Sequence, residues 1–181
     1  MKREKLGPLK EVYRGIIFKI FQREVTLPSG QKKTFEYCTR PDSVTILPFD
    51  SKGRLLLINE YRHGNKKNVW FLPAGRVDAG ESFLAAAKRE LREETGFGAK
   101  SFKKIYEKSP SNTLFWDIHI YAAKNLYRAP LKGDEDYPVQ VVPTPLSKAL
   151  QMALDGTIEN EFISFHIIKF NYMLKHGQFK W

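Results

Sequence analysis

The sequence GRVDAGESFLAAAKRELREETGF, residues 75–97, combines a predicted helix with a dense acidic end. Three carboxylates stand at positions i, i+3 and i+4 of that helix, at Glu90, Glu93 and Glu94. This spacing puts them on one helical face, where like charges repel one another. A hard divalent cation, which prefers oxygen ligands, would offset the repulsion. The alternative is a solvated face whose charge is balanced by Arg89 and Arg92.

The residues around the acidic face predict a loop, a helix and a stop. Residues 72–75 are typical of a loop after an apolar run, and residues 78–82 of a turn that opens a helix. A core-facing stripe at helical spacing follows, formed by Phe83, Leu84, Ala87 and Leu91. Gly96 stands where the helix is expected to end. Carboxylates in the last turns are disfavoured by the helix dipole, so a bound cation would remove a second conflict.

The stretch resembles the Nudix box, which reads Gly, five residues, Glu, seven residues, Arg-Glu, an aliphatic residue, any residue, Glu-Glu, any residue, Gly and an aliphatic or aromatic residue. All nine constrained positions over 23 residues match, at Gly75, Glu81, Arg89, Glu90, Leu91, Glu93, Glu94, Gly96 and Phe97. The resemblance implies the Nudix fold, an α/β/α sandwich with a mixed sheet in the α+β class, here with an N-terminal β-hairpin extension.

The resemblance also implies one or more Mg²⁺ or Mn²⁺ ions at the acidic face. Glu90 and Glu94 match the usual direct ligands of the family, while Glu93 and Glu81 match residues with ligand or supporting roles. The residue just before the box can add its backbone carbonyl, and here it is Ala74. Such ions can bridge a diphosphate, neutralise its charge and activate a water molecule.

Catalytic roles are expected for a few residues of the box and of a later loop. In the family the arginine that matches Arg89 pairs with a carboxylate and orients the helix. The general base of the resembling branch is often a glutamate on a late loop, and in the acidic segment 134–136 our first choice is Glu135. Glu93 and Glu81 are the alternatives. A general base must lie within reach of the attacking water and have a suitable pKa.

Features outside the box resemble the branch that cleaves ADP-ribose and other nucleoside diphosphate sugars. These features are NEYR at residues 59–62, LPAG at residues 72–75, Ser-Pro at residues 109–110, and a closing segment with GDED at residues 133–136 and Pro-Leu at residues 145–146. Candidate substrate-binding residues are Arg62 as a phosphate contact, Arg40, Pro110 and Ser111. The chain departs from the branch in having Phe71 where glutamate is common, and Ser111 where glycine is common.

The expected function is therefore metal-dependent hydrolysis of the diphosphate bond of ADP-ribose or a related nucleoside diphosphate sugar. The products would be a nucleoside monophosphate and a sugar phosphate. The alternative is a Nudix hydrolase of dinucleoside polyphosphates, NADH or RNA 5′ ends. The net charge of +10 suggests RNA 5′ ends or dinucleoside polyphosphates. A non-catalytic nucleotide sensor is a third hypothesis, but such domains tend to lose box glutamates and this chain keeps them.

Composition limits the class of protein. A length of 181 residues with 42% hydrophobic residues predicts one globular domain with a sizeable core. The single cysteine, Cys38, excludes an intramolecular disulfide, and the lack of an 18-residue apolar run or a signal peptide predicts a cytoplasmic protein without a membrane span. The basic residues are scattered rather than clustered with aromatic residues, so nucleic acid is an unlikely partner.

Hydrophobic patterns predict one domain over residues 1–181, with residues 1–40 as a hairpin extension and 41–181 as the catalytic core. Expected strands cover residues 11–27, 31–39, 43–49, 54–61, 69–72, 102–107, 115–123 and 139–142. Expected helices cover residues 82–95, 146–154 and 160–175. Residues 1–10 are expected to form a loose terminus. The resemblance implies that the hairpin, with Phe18, Phe21 and Phe35, builds a homodimer.

Overall fold

The structure is a computed structural model that describes residues 3–133 and 137–181. The chain divides into two compact units. The first combines Met1–Asp42 with Lys108–Ile118, and the second combines Ser43–Glu107 with His119–Trp181.

The first unit is a five-stranded sheet. Its strands are β1 (Lys5–Leu6), β2 (Lys10–Arg14), β3 (Lys19–Thr26), β4 (Lys32–Thr39) and β10 (Leu114–Phe115). Strands β3 and β4 form the predicted hairpin, antiparallel from the pair Lys19–Thr39 to the pair Thr26–Lys32. Gly30 closes their turn at φ 87°, a conformation that glycine adopts without a steric cost. Strand β10 adds to β4 in parallel, while β1 and β2 pair with β3.

Two predictions for this unit are wrong. The strand expected over residues 11–27 is broken at residues 15–18, because the Gly15 N–H bonds the Phe18 carbonyl at 2.8 Å and β2 folds back onto β3. Ile16 and Ile17 are apolar and β-branched, so the sequence predicted a continuous strand instead of a turn. Ile16 is fully exposed at the tip of that turn. The supposedly loose residues 1–10 contain β1, which pairs with the end of β3.

The second unit contains two further sheets and three helices. Its strands are β5 (Ser43–Pro48), β6 (Leu55–Arg62), β7 (Lys67–Phe71), β8 (Ala74–Arg76), β9 (Phe97–Lys108), β11 (Ile118–Arg128) and β12 (Gln140–Thr144). One sheet has the order β8-β5-β11-β9 and the other the order β12-β6-β7. The helices are α1 (Phe83–Thr95), α2 (Leu146–Leu154) and α3 (Glu161–Lys175), as the sequence predicts to within one residue at each end.

Strand boundaries differ more from expectation than helix boundaries do. The strand predicted for residues 102–107 begins at Phe97, directly after the helix stop, and β11 continues five residues beyond the predicted end at residue 123. The strand predicted for residues 115–123 is broken after Phe115, where β10 ends. Pro143 was expected to end β12 but pairs with Leu56, because β12 is an edge strand and loses no inward hydrogen bond there.

Helix α1 packs on β5 and β8, but Phe83 and Leu84, which were predicted to face the core, are exposed in its first turn. Ala86, Ala87 and Leu91 are buried there against Val44 and Ile46. Helices α2 and α3 pack on each other, and α3 buries Phe170 beside the Phe49 ring with centroids 5.4 Å apart. The packing of α1 on β8 brings the residues just before the box against the acidic helix.

Candidate active site

Two local signals determine where α1 begins and ends. The Ser82 hydroxyl accepts a hydrogen bond from the Ala85 N–H at 3.2 Å, which caps the first turn. Gly96 adopts a left-handed conformation at φ 73°, and its N–H donates to the Arg92 carbonyl at 3.0 Å. The helix therefore stops within two residues of its last glutamate, and Glu90 and Glu94 are only 9% exposed.

Strand β8 lies directly against these carboxylates. The Ala74 N–H donates to Glu94 Oε2 at 2.8 Å. A Cβ atom at position 75 would overlap the Glu90 carboxylate, so only glycine permits this approach. The glycine that opens the box therefore creates the space that the Glu90 carboxylate occupies.

Arg89 connects the carboxylates to the start of the box through five hydrogen bonds. Its Nε and Nη2 atoms donate to the two oxygens of Glu81 at 3.1 and 2.9 Å. Its Nη1 atom donates to Glu90 at 2.7 Å and to Glu93 at 3.0 Å. Its Nη2 atom also donates to the Arg76 carbonyl at 2.8 Å. One guanidinium thus relieves the repulsion along the helix and fixes the segment before it.

The ionisation of this network follows from its hydrogen bonds. The hydrogen bonds from Arg89 lower the pKa of the Glu81 carboxyl, and the Asp78 N–H adds to the effect. The bonds to Glu81, followed by those to Glu90 and Glu93, raise the pKa of Arg89. These shifts favour the charged forms of Glu81 and Arg89 at neutral pH. Glu81 was predicted as a metal ligand or base, and the structure places its carboxylate on Arg89.

The acidic face lines a cavity of about 560 Å³. Five carboxylates line it, from Glu60, Asp78, Glu90, Glu93 and Glu94. Four basic side chains also line it, from Arg62, Arg76, Arg89 and Lys132. Ala74 and Gly75 contribute backbone, and Tyr61, His63, Gly133 and Tyr137 complete the wall. Acidic and basic side chains are therefore almost balanced in this lining, with one carboxylate in excess.

The donor set fits a hard divalent cation. Within residues 3–133 and 137–181 no group of three histidine, cysteine or acidic side chains already has the arrangement of a metal site. Arg89 Nη1 donates to one oxygen of Glu90 and to one oxygen of Glu93. A carboxylate offers about four lone-pair positions on two oxygens, so it can accept from Arg89 and also bind a cation.

The other predicted site residues have different positions. Arg62 lines the cavity, where it pairs with Glu60 and lies over the Phe71 ring at 5.0 Å. Arg40 belongs to the first unit, with its guanidinium 5.6 Å from the centroid of the Trp116 ring. Pro110 and Ser111 also belong to the first unit, where Ser111 bonds Thr113 at 3.1 Å. Glu135 lies outside the described residues.

Four charged residues of the cavity were not among the predicted site residues: Glu60, Arg76, Asp78 and Lys132. Glu60 is 6% exposed in β6. The available signal was a single carboxylate after an apolar run, two residues before Arg62 and therefore on the same face of the strand. Lys132 lies in a polar loop that gave no signal of its own. Its position in the cavity depends on the folded path after β11.

Comparisons with known proteins found a family model and several similar proteins. The family model described as the NUDIX domain matches residues 39–160. The methanol dehydrogenase activator of Bacillus methanolicus is 28% identical over 96% of each chain. The ADP-ribose pyrophosphatase of Bacillus subtilis strain 168 is 30% identical over 82% of each chain.

A solved structure is similar over nearly the whole length. The crystal structure of an ADP compounds hydrolase has a TM-score of 0.83 and 25% identity, and the match covers 99% of this chain and 98% of the other. The predicted fold class is confirmed by this similarity together with the sheets and helices described above. In the described part of the chain, no helix has the length and apolar character needed to cross a membrane.

Proposed function

The chain belongs to the Nudix family of hydrolases, and from this membership we propose that it cleaves the diphosphate bond of ADP-ribose or a related nucleoside diphosphate sugar. The observation that carries the proposal is the cavity in which Glu90, Glu93 and Glu94 face Arg62 and Arg89. The names of the relatives, an ADP-ribose pyrophosphatase and an ADP compounds hydrolase, support an ADP-containing substrate.

Mg²⁺ or Mn²⁺ is the proposed cofactor, held by Glu90, Glu93 and Glu94 with the Ala74 carbonyl. When bound, such an ion neutralises diphosphate charge and lowers the pKa of a coordinated water. Arg89 holds Glu90 and Glu93 side by side through one nitrogen atom, which orients both carboxylates toward the cavity. The Ala74 N–H does the same for Glu94.

Arg62 is the proposed phosphate contact. Its guanidinium lies over the Phe71 ring and beside the buried Glu60, so its direction is restrained on two sides. An arginine prepositioned in this way can form charge-assisted hydrogen bonds to phosphate without first ordering its side chain. The proposed general base is Glu135 or Glu93, which would take the proton of the attacking water.

A substrate panel tests this function. The purified protein is incubated with ADP-ribose, other nucleoside diphosphate sugars, NADH, a dinucleoside polyphosphate and 5′-triphosphate RNA, with Mg²⁺ or Mn²⁺. Released monophosphates are quantified after coupling to a phosphatase. We expect the highest kcat/KM for ADP-ribose or a related sugar nucleotide. A preference for RNA 5′ ends or dinucleoside polyphosphates would favour the alternative that the net charge of +10 suggested.

A homodimer formed through the first unit is part of the proposal. That sheet exposes an unusual number of large apolar side chains, at Leu6, Leu9, Val12, Tyr13, Ile16, Ile17, Phe18, Phe35 and Phe115. Monomers rarely expose so many apolar residues on one small sheet. We therefore propose that a second copy of the chain buries these residues in a dimer. Ile16→Glu should shift the mass measured by light scattering from dimer to monomer, whereas Leu154→Glu, exposed in the second unit, should not.

A cytoplasmic location is also proposed. It rests on the single cysteine, Cys38, which suits a reducing compartment. Fractionation of cells that produce the protein would test it, with the expected signal in the soluble cytoplasmic fraction.

A further inference from the structure

We propose that Lys132 binds the phosphates of the substrate, and that Arg92 is a positioning residue that holds Lys132 at the cavity. This inference rests on the proposed function, because it assigns further residues to the same site. Neither residue is a constrained position of the box: Arg92 occupies one of its variable positions and Lys132 lies well beyond it.

The chain after β11 is fastened to the end of α1. The Arg92 Nε atom donates to the Ala129 carbonyl at 2.9 Å. The Ala129 N–H donates to the Gly96 carbonyl at 3.0 Å, and the Leu131 N–H approaches the Arg92 carbonyl at 3.4 Å. Residues 129–131 therefore bind the end of α1 through one side-chain and two backbone hydrogen bonds, and the Arg92 carbonyl also accepts from the Gly96 N–H.

This attachment determines where the next residues lie. Lys132 and Gly133 follow at once and line the cavity beside Glu93 and Glu94. Tyr137 lines the same cavity, and its ring contacts the Tyr61 ring with centroids 4.9 Å apart. Residues 129–131 are thus bonded to the end of α1, and Tyr137 contacts Tyr61 of β6.

Lys132 differs from Arg62 and Arg89 in its ion pairing. Arg62 and Arg89 both form ion pairs with carboxylates of the cavity. Lys132 has no such pair with any residue in 3–133 or 137–181. An ammonium group at the edge of a net negative cavity can therefore meet the phosphates without first leaving a carboxylate among those residues.

Arg92 acts through the backbone rather than through substrate. Without its guanidinium, the Ala129 carbonyl loses a charge-assisted hydrogen bond and the following residues are less restrained. Lys88 provides a matched comparison, since it is an exposed basic residue one turn earlier on the same helix. Lys100 provides a second comparison, as an exposed lysine on β9.

Binding of inorganic pyrophosphate with Mg²⁺, measured by isothermal titration calorimetry, is the direct test. We expect Lys132→Ala to raise the Kd about tenfold, the size of one lost charge-assisted hydrogen bond. Arg92→Ala should raise the Kd by a similar factor. The Kd of the double variant should not exceed the higher of the two single-variant values, because both changes remove the same contact. Arg92→Lys should recover part of the loss, while Lys88→Ala and Lys100→Ala should bind as the wild type does.

The same variants are assayed with ADP-ribose, and their melting temperatures are recorded. KM should follow the pyrophosphate Kd, with a much smaller change in kcat. A lower melting temperature for Arg92→Ala with an unchanged Kd would make Arg92 purely structural and overturn the inference, as would wild-type binding by Lys132→Ala. A wild type that binds pyrophosphate through Lys132 but cleaves no nucleotide would instead refute the proposed function alone.

Discussion

Helices α1 and α3 begin with the same kind of side-chain N-cap. They differ in the side chains that they bury. The Ser82 hydroxyl accepts from the Ala85 N–H, and the Asn160 side chain accepts from the Ile163 N–H at 3.1 Å. Both helices therefore have a cap in which a side-chain oxygen accepts from the residue three positions on. Their starts give no indication of their roles.

The buried faces of the two helices separate those roles. Helix α3 buries Ile163, Ile167 and Phe170, which lowers the free energy of the fold by removing apolar area from water. Helix α1 buries Glu90 and Glu94 next to its apolar stripe, and burial of carboxylates costs free energy unless they are paired. Helix α3 therefore stabilises the second unit, whereas α1 carries buried carboxylates that surrounding residues must stabilise.

The largest effect expected on the α1 side is the loss of one carboxylate. Glu94→Gln keeps the size of the side chain but removes the charge that faces the cavity, so kcat for ADP-ribose should fall by roughly 10²–10³-fold. Thermal unfolding by circular dichroism should show a folded protein. Glu161→Gln, at the exposed start of α3, is the control and should keep wild-type turnover. Equal activities of the two variants would remove the functional difference between the helices.

On the α3 side, Phe170→Ala should lower the free energy of unfolding by about 3–5 kcal/mol, because the ring is fully buried against Phe49 and Phe179. Phe162→Ala changes an exposed ring on the same helix and should cost at most about 0.5 kcal/mol. Urea unfolding measures both. KM for ADP-ribose should be unchanged in the folded fraction of Phe170→Ala, and an altered KM would argue that α3 affects the site.

The pH dependence of stability should reveal the ion cluster on α1. Glu81→Gln should lower the free energy of unfolding by about 1.5 kcal/mol near pH 7, where Arg89 loses a charged partner. The pKa of Glu81 is lowered in the folded state, so its contribution is complete above its unfolded pKa of about 4.3 and is lost as the pH falls through the folded value. Urea unfolding between pH 3 and 8 should show the two proteins converging at the acidic end. A difference that stays constant with pH would contradict the assignment.

The smallest effects should be equal in the two helices. Ser82→Ala and Asn160→Ala each remove a cap, and each should cost about 1 kcal/mol in unfolding free energy. Because only α1 carries the carboxylates, Ser82→Ala should also lower kcat/KM modestly, while Asn160→Ala should leave it unchanged. Identical kinetics for both would indicate that the start of α1 is not coupled to its acidic end.

The sequence predicted the helices better than the strands. Caps and a 3.6-residue period are local signals, and they give all three helices to within a residue. The turn at Gly15 was missed because apolar residues occupy its exposed tip, where a strand pattern is expected to continue. The strand through Pro143 was cut short because the edge position that tolerates proline depends on sheet order, which the local sequence does not contain.

The same distinction between local and distant signals applies to the residues of the site. The motif identified Glu90, Glu93, Glu94 and Arg89 as a group, because the helix alone brings them together. Glu60 and Lys132 join them through β6 and through the segment fastened to the end of α1, which are contacts between distant parts of the chain. Residues brought in by packing of this kind carry no signal at a fixed spacing.

Titration with Mn²⁺ followed by electron paramagnetic resonance tests the central claim, that the acidic face of α1 binds a divalent cation. The wild type should bind Mn²⁺, and Glu90→Gln should weaken that binding at least about tenfold while Glu161→Gln leaves it unchanged. Mn²⁺ binding of equal strength in the wild type and in Glu90→Gln, or no binding in the wild type, would contradict the account.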